Sequence, residues 1–161
     1  MKFYSPDKDL KETFGAEIKD AEYISELNTI CKNVNIVYDD ARFIPHNLLT
    51  NWNEIVELSL FGHEDSEDFD LDFRRDILFE LENNKELDRF NEHQIFLEIL
   101  KTIDNKFKSN TFIPVELKNE KRWWNCSVYK KGTGDYINHI EHEMFVKFEM
   151  KIELKHRIEK I

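Results

Sequence analysis

The chain has 161 residues, of which 40% are apolar and 13% aromatic, and it carries a formal net charge of -10 at pH 7. Thirteen Phe against four Gly and three Pro exclude an intrinsically disordered chain and long flexible linkers. The length suits a single α+β domain over residues 1–161 with a core that needs no staple, and no apolar run is long enough to cross a membrane.

MKFYSPDKDL lacks the apolar stretch of a signal peptide, so a cytoplasmic protein is expected. Ser5-Pro6-Asp7 reads as a helix start, with Ser5 as the cap and Pro6 in the first helical position. Gly15 would end that helix near Phe14. Tyr23, Ile24, Leu27, Ile30 and Cys31 follow the spacing i, i+1, i+4, i+7, i+8 and predict a helix with one buried stripe. Val34 to Tyr38 reads as a short strand. Asp39 to His46 reads as a loop, because Pro45 disfavours helix in the residue before it. Residues 50–61 are ambiguous between helix and strand, and helix is preferred, with Thr50 as its cap and Trp52, Ile55, Val56 and Ser59 buried.

Residues 71–83 read as a helix closed by Asn83-Asn84. The strongest helix is 91–108, with Asn91 as cap, Gln94 in a capping-box position and Phe90 stapled on Ile95. Its stripe is Phe96, Ile99, Leu100, Ile103 and Phe107. The period then changes. Trp124, Cys126 and Val128 alternate with polar neighbours, KKGTGD (130–135) is a hairpin signal, and even positions from Ile140 to Leu154 are almost all apolar. The expected fold is therefore α+β: N-terminal and central helices packed on a C-terminal antiparallel sheet with a long last strand. That strand leaves pairing with a second copy, a homo-oligomer, open.

Charge is unevenly spread. Residues 62–88 hold eleven acids and three bases, net -8, whereas residues 106–161 hold eight acids and twelve bases, net +4. GHEDSEDFDLDF (62–73) concentrates Glu64, Asp65, Glu67, Asp68, Asp70 and Asp72. Such a segment disfavours direct binding of nucleic acid and favours a basic partner.

Several chemistries fail on spacing. Asp68-x-Asp70-x-Asp72 begins like a calcium loop, but Phe73 stands at the position that turns on Gly and Phe79 where the last Glu is needed. His139 and His142 lack the four-residue spacing of a zincin helix and would point to opposite faces of a strand. Across an antiparallel pair whose even positions are buried, Cys126 would face Asn138 or Ile140 and not His139, so a Cys–His couple is not expected. Cys31 and Cys126 form no CxxC and read as packed thiols in a reducing compartment. Lys131-Gly132-Thr133-Gly134 is too short for a phosphate loop. Trp123 and Trp124, adjacent on a strand, would face opposite ways, leaving Trp123 and Tyr129 as a candidate aromatic contact patch.

IFLEILKTIDNKFKSNTF (95–112) followed by RWWNCSVYKKG (122–132) resembles bacterial polymorphic-toxin immunity proteins, including those of contact-dependent growth inhibition systems. The resemblance implies a small cytoplasmic α+β protein that binds and blocks a cognate toxin domain, without a cofactor. The toxins are often nucleases, whose phosphate-binding surfaces are basic. On this reading the partner-binding residues are Glu64, Asp65, Glu67, Asp68, Asp70 and Asp72, with Trp123 or Tyr129 as anchor. Two alternatives stand beside it. One is a metal-dependent hydrolase using His63 with the neighbouring carboxylates. The other is a phage or plasmid accessory protein such as a DNA mimic.

Overall fold

The structure, a computed structural model, describes residues 10–61, 71–112, 121–129, 131–132 and 156–157. Helix dominates them. Helix α1 (Leu10–Phe14) stops where expected, at Gly15, whose φ is +68° and whose amide donates to the Lys11 carbonyl at 3.0 Å. A left-handed residue here carries no Cβ penalty only as glycine. The predicted start at Ser5 lies outside the described residues.

Helix α2 (Ala21–Asn33) is capped by Asp20, which accepts from the Tyr23 amide at 2.7 Å. It buries Tyr23, Ile24, Leu27 and Cys31, the predicted stripe, while Ile30 is half-buried. The run after it is not a strand. Val34 and Ile36 both donate to the Cys31 carbonyl, at 3.1 and 2.8 Å, and Asn35, with φ +60°, donates to Lys32 at 3.0 Å. The amides that a ladder would need are spent closing the helix. Val34 and Val37 remain exposed, while Ile36 and Tyr38 are half-buried.

The expected loop at 39–46 is largely helical. A 3₁₀ turn at Ala41–Phe43, capped by Asp40, runs directly into helix α3 (Ile44–Phe61). Pro45 sits in the first turn of α3, where a missing N–H costs nothing. Residues 50–61 are helical as preferred, but Thr50 lies inside the helix and is not its cap. Helix α4 (Leu71–Glu82) ends on the Asn pair: the Asn83 and Asn84 amides donate to Phe79 and Leu81. After a 3₁₀ turn at Leu87–Arg89, helix α5 (Asn91–Asn110) buries all five residues of its predicted stripe.

The α+β expectation is overturned. Among the described residues, extended pairing is confined to two ladders of two residues per strand: β1 (Thr111–Phe112) antiparallel to β2 (Val128–Tyr129), and β3 (Lys131–Gly132) parallel to β4 (His156–Arg157). Neither is a layer on which helices pack. Trp123–Cys126, predicted as strand, is a 3₁₀ turn. Lys131 and Gly132, predicted inside a hairpin turn, are extended and pair with a distant segment. The long last strand expected over 140–154 lies outside the described residues.

The chain divides into two compact units, and the division falls within α3 and α5. The first contains the described residues up to Asn53 together with Phe73–Ile103, and its fully buried side chains include Tyr23, Leu27, Leu49, Trp52, Leu78 and Phe96. The second contains those from Glu54 to Asp72 and from Asp104 onward, and buries Val56, Phe107 and Trp124. Among the described residues, no helix is long and apolar enough to cross a membrane.

Candidate functional site

Of the predicted acidic contact set, Glu64, Asp65, Glu67, Asp68 and Asp70 lie outside the described residues, as do His63, His139 and His142. Asp72 falls in the first turn of α4. Asp76 and Glu80 lie in the same helix, and both are already engaged in interactions. Glu82 is engaged as well. Arg75 is buried and donates to Glu82 Oε2 at 2.9 Å, so that carboxylate offsets a guanidinium that would otherwise be costly to bury. Arg74 donates to the Asn51 carbonyl at 3.1 Å.

Trp123 and Trp124 do not sit on opposite faces of a strand. In the 3₁₀ turn their rings meet edge to face, with centroids 5.7 Å apart and an interplanar angle of 87°. Ser127 holds the turn, its amide donating to the Trp124 carbonyl and its hydroxyl to that of Trp123. Trp124 is fully buried and Trp123 half-buried. The Phe107 ring lies 6.0 Å from that of Trp123, and Lys108 Nζ stands 4.2 Å from the Trp123 centroid. Trp123 is thus already partnered within its own unit. Tyr129, the other candidate anchor, belongs to β2.

One polar contact is buried among the aromatic side chains of the first unit. Tyr23 Oη and His93 Nδ1 are 3.0 Å apart, and neither side chain is exposed. Burial pushes the Tyr23 phenol up, with the Glu92 carboxylate adding to it, and pushes His93 down against the opposing pull of Asp88 and the Leu81 backbone. The stable arrangement is a neutral imidazole accepting at Nδ1 from the phenol. The Cys31 thiol is raised to about 11 by burial, so it is a packed, unreactive group as predicted.

A hollow of about 290 Å³ is lined, among the described residues, by the α1–α2 connection and the start of α3, all in the first unit. Leu10, Ile18, Ile24 and Phe43 supply its apolar wall, and Lys11, Lys19 and Arg42 supply cations. Glu17 sits between Lys11 Nζ and Lys19 Nζ, at 3.0 and 3.1 Å, and those hydrogen bonds hold its carboxyl below the usual range. Arg42 pairs with Asp40 at 2.6 Å and lowers it likewise. Buried His46 also lines the hollow, with Thr50 Oγ1 3.4 Å from its Nε2. No sequence motif marks these residues; they meet only through the fold.

Among the described residues, no three His, Cys, Asp or Glu side chains are grouped to hold a metal ion. Comparison of the chain with protein-family models, with curated proteins and with solved structures found no match.

Proposed function

We propose that the protein is a cytoplasmic inhibitory binding protein, an immunity protein that neutralises a basic toxin domain of the nuclease kind through an acidic face. One observation carries this reading: residues 62–88 have a net charge of -8 while residues 106–161 have +4. A concentrated negative potential raises the rate of encounter with a cationic surface and discriminates against wrong partners more than it adds raw affinity. Glu64, Asp65, Glu67, Asp68, Asp70 and Asp72 form the contact set. Trp123, half-buried under Lys108, contributes at the margin.

The experiment is co-expression with the product of an adjacent reading frame that encodes a basic domain, followed by co-purification and an assay of that domain's toxicity. A stable complex and loss of toxicity are expected. Reversing Asp68, Asp70 and Asp72 to Lys should slow association by about tenfold or more at low ionic strength; an unchanged rate would remove the electrostatic route. Melting with magnesium, manganese, zinc and calcium should leave Tm in place, whereas stabilisation by one of them would favour a metal-dependent hydrolase.

A further inference from the structure

We draw no further inference here: the strongest candidate, the hollow against the α1–α2 connection and the start of α3, has its cations already engaged, Lys11 and Lys19 by Glu17 and Arg42 by Asp40, and nothing in the structure shows what covers its apolar wall.

Discussion

The two units bury aromatic side chains by different routes. In the first, Tyr23 of α2 packs on Phe90 and on His93 of α5, with centroids 5.4 and 5.8 Å away, and its hydroxyl meets a ring nitrogen seventy residues distant in the chain. In the second, Trp123 and Trp124 are neighbours in sequence, and a local turn stacks one edge-on against the other. The first arrangement depends on two regular helices presenting the right faces. The second depends on short-range hydrogen bonds from Ser127 and on space for one indole. A helical stripe therefore announces the first, and nothing periodic announces the second.

The largest effect that sharpens this contrast is Trp124→Ala. Trp124 is fully buried, and deleting it should cost about 3–5 kcal/mol in denaturant unfolding. Trp123→Ala, at a half-buried ring, should cost clearly less. Equal losses would mean that both indoles serve as core, and the turn would lose its inside and outside. Next comes Tyr23→Phe, which should cost about 1–3 kcal/mol because it strips a buried ring nitrogen of its partner. The Leu81 backbone still bears on the imidazole, so the loss measured is that of the phenol contact alone. Replacing His93 by Leu in the Tyr23→Phe background should recover part of the loss, because both buried polar groups are then gone. Additive losses in that cycle would show that the two groups do not act as a pair.

The same pair sets a pH dependence that belongs to the first unit. Burial lowers His93 below its ordinary value near 6.5 in the folded chain, with Asp88 and the Leu81 backbone opposing. The unfolded chain therefore takes up the proton first as pH falls. Stability is complete above about 6.5 and is lost as pH drops through the folded-state value. Unfolding measured between pH 7 and 5 should show this loss in the native chain and in Trp124→Ala, and a flatter profile in His93→Leu. Glu17 and Asp40, also lowered, act in a more acidic window, because their stabilisation is present above the ordinary carboxylate range and is lost below it.

The buried faces of α2 and α5 were legible in sequence because each holds a 3.6-residue period over several turns. Short segments misled where a local hydrogen bond outweighed the pattern. Val34 to Tyr38 has strand-like residues, yet its amides close α2. Pro45 breaks a helix only from within, and here it begins one. The alternation of Trp124, Cys126 and Val128 fits a strand, but the turn that buries Trp124 needs no partner strand. For function, the acidic run was legible as composition. The hollow beside Ile18 was not legible, because its cations come from separate elements between Lys11 and Arg42 and carry no pattern along the chain.

The smallest effect tests whether the lysine beside Trp123 contributes through the ring. Lys108 is exposed at the last turn of α5, and its ammonium stands 4.2 Å from the Trp123 ring centroid. A cation over an indole at an exposed site contributes about 0.5–1 kcal/mol, and the aliphatic stem can cover apolar surface besides. Lys108→Met keeps a long apolar stem and removes the charge, so it isolates the first contribution. It also removes a cation from a helix C-terminus, which costs about 0.3–1 kcal/mol by itself. Lys106→Met provides the control: it sits on the same last turns and pairs with Glu57, not with a ring. A greater loss for Lys108→Met than for Lys106→Met, together with a changed Trp emission in the former only, would assign the difference to the indole face. Should the two variants lose the same stability with the same spectra, Lys108 acts only through the helix end, and Trp123 is held by Phe107 and Trp124 without the cation.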